Sequence, residues 1–282
     1  MKYIRNFSEH SAYEAEISKI PTPSVSYCRK ENECHFMPNN VIMFKVGNLN
    51  GNTNQTVTVE YKEDGSDTIP ITEGNKWYVI TIPSGKSLNR FLGNGFITDT
   101  IISAKLANRA FDSILSDILG NVTFIGCDTT DLTTFSRMFY ECDKLTSLDV
   151  SSLDTSKATN MKYMFGFCES LQTLDVSNFD TSKVTDMSFM FDDCQSIQTL
   201  DVSNFDTSKV TDMSFMFDFC ESIQTLDLSS WNMTKVIHMD NMFSGCTSLK
   251  TIFMRGCNQI TIDKIKAQLE KDNLKNVTII TE

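Results

Sequence analysis

The stretch from Cys168 to Cys194 reads CESLQTLDVSNFDTSKVTDMSFMFDDC, and related phrases flank it at steps of 26 residues. Positions repeated four or five times in register predict stacked repeats, each burying its apolar side against its neighbours. The positions that keep the step are the triplets Leu148-Asp149-Val150, Leu174-Asp175-Val176, Leu200-Asp201-Val202 and Leu226-Asp227-Leu228, the pairs that begin at Met138, Met164, Met190, Met216 and Met242, and the cysteines Cys142, Cys168, Cys194, Cys220 and Cys246.

Within one repeat, Leu171, Leu174, Val176 and Phe179 have the spacing of a leucine-rich repeat. Strand alternation sends Leu174 and Val176 inward, so the residues between them face outward on a parallel sheet. We expect Thr185 to cap a short helix that carries Met187, Met190 and Phe191 into the core.

The fold class that follows is α+β, a leucine-rich-repeat solenoid of 26-residue coils with a parallel sheet, a small N-terminal β-domain and a C-terminal helical cap. The predicted strands of the β-domain are Val41–Val46, Gln55–Tyr61 and Lys76–Ile82, the predicted helices are Ala104–Leu119 and Thr261–Asn273, and the final strand is Val277–Ile280. The predicted divisions are an attachment segment 1–40, the β-domain 41–88, the solenoid 89–258 and the cap 259–282.

The repeated phrase resembles the BspA-like leucine-rich repeats of bacterial surface proteins, over roughly Ala104 to Arg255. The resemblance implies adhesion to a host or partner protein, without catalysis. The last copy departs from the phrase, because Phe253 and Arg255 stand where it has Asp and Ser.

A second resemblance lies in the first forty residues. The runs that begin at Asn6, Pro23 and Glu31 are similar to the opening of structural proteins from crAss-like and related gut phages. This resemblance implies a virion component that is assembled in the host cytoplasm. It would bind other virion proteins through its N-terminal segment. It is consistent with the first twenty residues, Met1 to Ile20, which contain no apolar core of signal-peptide length.

The charge and composition of the chain limit the classes of partner that it is expected to bind. The formal net charge of −11 argues against nucleic acid and anionic membranes, because such a surface repels phosphates. No apolar run is long enough to span a bilayer. Five of the nine cysteines form the ladder and are expected to be buried free thiols, whereas Cys28 and Cys34 are expected to form a cross-strand pair, oxidised or not.

The candidate binding site is the outward face of the predicted strands. Four stacked carboxylates repel one another unless water, hydroxyl groups or a cation screen them. The alternatives are a strip that binds a basic protein surface or a divalent ion such as calcium, and a solvated face without a ligand. The face comprises Asp149, Asp175, Asp201, Asp227, Thr173, Thr199, Thr225, Ser177 and Ser203.

No residue pattern indicates an enzyme, a metal site or a cofactor. The three histidines, His10, His35 and His238, fall in no nucleophile or metal motif. We therefore predict a non-enzymatic phage virion protein, on the capsid or tail surface, that displays its repeats toward a host-surface protein or glycan. The alternative is a BspA-like adhesin on the bacterial cell surface. The sequence leaves open whether the chain forms a homo-oligomer.

Overall fold

The computed structural model describes residues 25–30, 33–37, 41–47, 49, 55–61, 65–71, 74–75, 77–82, 86–92, 97–103, 106, 118–124 and 127–282. These residues form mostly short strands and small sheets, with one helix. The elements are β1 (Val25–Lys30), β2 (Glu33–Met37), β3 (Val41–Val46), β4 (Gln55–Tyr61), β5 (Ser66–Ile71), β6 (Trp77–Thr81), β7 (Leu88–Leu92), β8 (Ile97–Ser103), β9 (Ile118–Phe124), β10 (Ser147–Asp149), β11 (Thr173–Leu174), β12 (Thr225–Asp227), β13 (Thr251–Phe253), α1 (Gln259–Lys271) and β14 (Thr278–Ile280).

The strands of the N-terminal half belong to three sheets. Strands β1 and β2 pair antiparallel and place Cys28 opposite Cys34. Strands β5, β4 and β7 form an antiparallel sheet, and β3 and β6 lie at one side of a six-stranded sheet of order β11-β10-β9-β8-β3-β6. The three strands predicted between residues 41 and 82 are thus confirmed as β3, β4 and β6. The helix predicted at Ala104–Leu119 falls largely outside the described residues.

The repeats stack in register but do not build the predicted sheet. Strands β10 to β13 are only two or three residues long. They divide between the six-stranded sheet and a separate sheet of β12, β13 and β14. Between those sheets the strand positions of the described repeats are joined by isolated parallel bridges, Thr173 with Thr199 and Leu200 with Leu226, and not by a continuous ladder. The predicted fold class, an α+β leucine-rich-repeat solenoid with a parallel sheet, is therefore wrong.

The short helix predicted in each repeat is also absent from the described repeats. Thr185 caps no helix, and residues 186–193 run through turns with positive φ at Phe189 and Asp193. Alternate backbone N–H groups, those of Met187, Phe189, Phe191 and Asp193, donate to carbonyl oxygens of the following repeat. Because these donors are used between repeats, they are not available for the intrahelical bonds that an α-helix requires.

The interior of the repeats is the ladder of aromatic, methionine and cysteine side chains expected from the sequence. The rings of Phe139, Phe165, Phe191, Phe217 and Phe243 stack at centroid distances of 5.3 to 5.9 Å. The five ladder cysteines are buried free thiols, as predicted. Four of them donate from Sγ to a phenylalanine carbonyl oxygen of the preceding repeat at 3.0 to 3.2 Å. The thiols are therefore part of the packing.

A helical cap closes the chain roughly where the sequence placed it. Helix α1 starts after Asn258, whose side chain accepts a hydrogen bond from the backbone N–H of Thr261 at 2.9 Å. Ile262, Ile265 and Leu269 recur at helical spacing within α1 and are buried. Strand β14 then pairs parallel with β13. In the part of the chain that the structure describes, no helix has the length and apolar character needed to cross a membrane.

Candidate functional site

The nine residues of the candidate site lie along one side of the repeats, which we call the strand face. Leu174 and Val176 are buried on the other side of the same backbone, so the predicted alternation is correct at this point. Asp175, Asp201, Ser177 and the three threonines are exposed, whereas Asp149, Asp227 and Ser203 are half-buried. Backbone pairing aligns Thr173 with Thr199, so equivalent side chains of successive repeats are neighbours.

Each aspartate of the strand face holds a turn in its own repeat. One carboxylate oxygen, Oδ1, accepts the backbone N–H of the serine two residues later, at 2.9 to 3.0 Å in all four repeats. In one repeat the Ser203 hydroxyl also donates to Asp201 Oδ1 at 2.6 Å. This Asx-turn ends the strand and aims the carboxylate along the surface. Sequence reasoning missed this structural role, although the Asp-x-Ser spacing is its signal.

The electrostatics of Asp201 show how the ladder tolerates stacked carboxylates. The hydroxyl and the backbone N–H of Ser203 lower the pKa of Asp201, while partial burial and the nearby Asp175 carboxylate raise it. The donors outweigh the repulsion, so Asp201 is ionised at neutral pH. Asp201 therefore contributes a negative charge to the strand face.

Asparagine side chains fix the backbone just behind this face. Asn204 Nδ2 donates to three carbonyl oxygens of the preceding repeat, those of Val176, Ser177 and Phe179, each at 3.3 Å. Asn178 makes the equivalent contacts one repeat earlier. Because each amide ties two repeats together at the end of the strand, the positions of neighbouring aspartates are coupled.

Two shallow, open concavities lie on the strand face. One of about 430 Å³ is lined by Asp175, Ser177, Thr199, Asp201, Thr225 and Asp227 among others. The second, about 390 Å³, is lined by Asp149, Thr173, Asp175 and Thr199 together with apolar neighbours. Asp175 and Thr199 line both, so the two form one groove that runs across the repeats. Of the nine predicted residues, Ser203 alone lines neither concavity.

An aromatic residue ends the groove. Phe253 occupies the aspartate position of the last repeat and lines the larger concavity. The Arg255 guanidinium lies 4.6 Å from the Phe253 ring centroid, and its Nε donates to the Glu282 carbonyl oxygen at 3.3 Å. The groove therefore changes from hydroxyl and carboxylate groups to an aromatic wall backed by a cation.

A second pair of aspartates, missed by the sequence analysis, lies one repeat apart in the turns. Asp192 and Asp218 are each only 7% exposed. Burial, together with the charges of Asp218 and Asp193, raises the pKa of Asp192 to about 7. Burial also raises the pKa of Asp218, whose Oδ1 has no hydrogen-bond partner within the described residues. Their positions in the 26-residue register gave no sign that they would be buried.

The described residues offer no arrangement of metal ligands. No three His, Cys, Asp or Glu side chains among them are grouped to hold a metal ion. His238, the histidine whose surroundings are described, is exposed and bridges Asp212 through the backbone alone. The groove is lined by carboxylate and hydroxyl groups, which can form hydrogen bonds with a ligand.

Comparison with known proteins assigns the repeats to a family. Residues 121–201 and 168–278 match the family model described as "Mycoplasma protein of unknown function, DUF285". Together these matches cover residues 121–278, more than half of the 282-residue chain. No curated protein matches the chain.

Proposed function

The chain belongs to the family described as "Mycoplasma protein of unknown function, DUF285". Since that description names no activity, we propose a function from the surface of the chain itself. The protein is a non-enzymatic phage virion component that displays its repeats as a binding module. The observation that carries the binding role is the groove on the strand face, where carboxylates and exposed threonine hydroxyls repeat in register.

The chemistry of the groove favours a partner that offers cationic or hydroxyl groups. Asp175 and Asp201 are exposed, and each uses Oδ1 to hold its own turn. Repetition along the groove gives a long or repetitive ligand several equivalent contacts, so weak single interactions add up. A basic protein surface or a glycan on the host cell fits this description.

The virion part of the proposal rests on the resemblance of the first forty residues to structural proteins of gut phages. We propose that this segment contacts other virion proteins and leaves the repeats facing outward. The second candidate is a BspA-like bacterial surface adhesin. It rests on the resemblance of the repeated phrase, and the family match falls on these repeats and not on the N-terminal segment.

Mass spectrometry of purified phage particles, and of envelope fractions from the same culture, separates the two candidates. The virion function predicts peptides of this chain at fixed stoichiometry in the particles. Peptides found in the envelope alone would contradict the virion function and support the adhesin.

A binding assay on host cells tests the groove under either candidate. The double variant Asp175→Asn, Asp201→Asn keeps the acceptors that hold the turns but removes two charges from the groove. We expect it to lower affinity about tenfold. Equal losses in a control variant would contradict the proposal. The matched control is Asp180→Asn, Asp206→Asn, since both residues also hold turns through Ser182 and Ser208 but line neither concavity.

An activity assay tests the non-enzymatic part separately. Purified protein should show no hydrolytic or transfer activity on host glycans and peptides. Activity that disappears in Asp201→Ala would contradict the proposal.

A further inference from the structure

The C-terminal cap is held to the last repeat by a carboxylate, where the earlier repeats use a backbone carbonyl group. The N–H groups of Phe191 and Phe217 donate to carbonyl oxygens of the following repeat, at 3.0 and 2.9 Å. The equivalent N–H group of Phe243 donates instead to Oδ2 of Asp272, at 2.9 Å. Asp272 is the C-cap residue of α1, and its Oδ1 accepts from Gln268 Nε2 at 2.9 Å. Asp272 therefore ties the end of the cap helix to the turn of the last repeat.

Two buried carboxyl groups lie in the turns that lead to this contact. Asp192 and Asp218 occupy the same position of successive repeats, and both are buried. Ser244 follows at that position in the last repeat, and its side chain forms a hydrogen bond with Asp218. Asp218 Oδ1, by contrast, has no hydrogen-bond partner within the described residues. Because a buried, ionised oxygen without a donor is costly, this arrangement favours the protonated form of Asp218.

The charges that act on these two carboxyl groups come from other aspartates. Burial, followed by the charges of Asp218 and Asp193, raises the pKa of Asp192. Burial, together with the charges of Asp272 and Asp193, also raises the pKa of Asp218, against hydrogen bonds that lower it. Asp218 and Asp272 both act on the thiol of Cys246. Asp192, Asp218 and Asp272 therefore form a row that runs from the repeats into the cap, which we call the acid row.

The other titratable groups on which the acid row acts are neutral near pH 7. They are one phenol and three thiols, and burial raises the pKa of each, to about 12 for Cys246. These groups belong to Tyr163, Cys194, Cys220 and Cys246. A change of charge in this part of the molecule near neutral pH therefore comes from the aspartates.

We propose that the acid row makes the docking of the C-terminal cap depend on pH, with the cap held while Asp192 and Asp218 are protonated and loosened when they ionise. Below neutral pH, the carboxylate of Asp272 lies next to two neutral groups. Above neutral pH, three negative charges follow one another and repel. Asp192 and Asp218 are held between repeats, whereas Asp272 lies on the terminal element, so releasing α1 and β14 relieves the repulsion.

Hydrogen–deuterium exchange of the full chain, followed by mass spectrometry, measures the opening of the cap. After correction for the intrinsic effect of pH on exchange, the amides of α1 and β14 should lose protection about tenfold between pH 6 and pH 8, because opening lowers the pKa of a buried carboxyl group. At pH 8 they should exchange faster than the inter-repeat amides of residues 187–193, since the cap opens while the repeats stay folded. Equal protection of the cap at both pH values would overturn the proposal, and so would cap and repeat amides that exchange at one rate.

Two variants and a matched control assign the response to the acid row. Asp218→Asn removes the central charge and keeps the shape of the side chain, so its cap should be equally protected at pH 6 and pH 8. Asp272→Asn keeps one oxygen that can accept the Phe243 N–H and should also flatten the response. The control is Asp212→Asn, whose native carboxylate accepts the Ser214 N–H at 2.9 Å outside the acid row, and it should keep the wild-type response. A wild-type response in either of the first two variants, or its loss in the control, would overturn the proposal.

Discussion

The repeats carry two sets of aspartates in the same 26-residue register, and the two sets have opposite electrostatics. On the strand face, Asp201 accepts an N–H and a hydroxyl from Ser203, and these donors lower its pKa. In the turns, Asp192 lies under the surface, and burial raises its pKa to about 7. Register thus decides which residues are neighbours, whereas local donors and burial decide which of them carry charge.

The aspartates of the strand face can serve as a binding surface, whereas the buried aspartates of the turns cannot. An exposed carboxylate whose pKa is lowered, such as that of Asp201, can meet a basic partner at neutral pH. A buried carboxyl that binds its proton near neutrality contributes little surface charge and instead makes stability depend on pH. The functional proposal therefore attaches to the strand face.

The largest effect on stability should come from disrupting the core of stacked rings that supports both sets of aspartates. Phe191 is fully buried and stacks between Phe165 and Phe217 at 5.6 and 5.7 Å. Phe191→Ala should lower the free energy of unfolding by about 3–5 kcal/mol, measured by urea denaturation, because it leaves a cavity. Phe219→Ala, at a ring that is 48% exposed, should cost less than about 1 kcal/mol. Equal costs would mean that the stacked rings do not hold the repeats together.

An effect of intermediate size, a dependence of stability on pH, should come from the buried aspartates of the turns. The pKa of Asp192 is about 7 in the folded chain, against about 4 for an unfolded aspartate, so between these values the folded state alone holds the proton. Stability should therefore rise by about 2–3 kcal/mol as the pH falls from 8 to 5. The gain is saturated below the unfolded pKa and lost as the pH rises through 7.

The variant Asp192→Asn sharpens that test. It removes the charge while keeping the shape of the side chain, so it should stabilise the chain at pH 8 and flatten the dependence between pH 8 and 5. The same denaturation experiment measures both effects. The charges that face Asp192 are those of Asp218 and Asp193, which remain in the variant. A slope in the variant equal to that of the wild-type chain would show that another group binds the proton.

The smallest effect should come from the strand face. Asp201→Ala removes the acceptor for two donors of Ser203 and should cost about 1 kcal/mol at pH 7. Asp201→Asn keeps an acceptor oxygen and should cost less than about 0.5 kcal/mol. Because its pKa is lowered on folding, Asp201 supports stability above the pKa of the unfolded chain and loses that contribution as the pH falls below about 4. A cost of Asp201→Asn equal to that of Asp201→Ala would assign the effect to charge and not to the turn.

The parts of the fold that the sequence could predict are those that repeat an apolar position. Phe191, Cys194 and Leu174 recur every 26 residues, and all are buried as expected. The helix of the cap was also predicted at roughly the right place, because Ile262, Ile265 and Leu269 recur at helical spacing. The strand-face aspartates were found because they alternate with buried residues.

The turns of the repeats could not be predicted because their backbone carries no glycine signal. Phe189 and Asp193 both have positive φ, and a bulky ring at such a position usually indicates helix or strand. The Met187–Phe191 segment has apolar spacing that favours a helix, but its N–H groups pair with the next repeat. Asp192 is buried because it lies in that turn, so the sequence did not predict its burial either.

Carbon-13 NMR titration of side-chain carboxyl groups would test the contrast between the two sets most directly. With aspartate labelled at Cγ and single Asp→Asn variants for assignment, the account predicts a midpoint near pH 7 for Asp192 and one below the usual aspartate range for Asp201. Asp192 titrating with the exposed aspartates, or Asp201 titrating above them, would contradict the claim that the strand face carries the charge and the turns bury it.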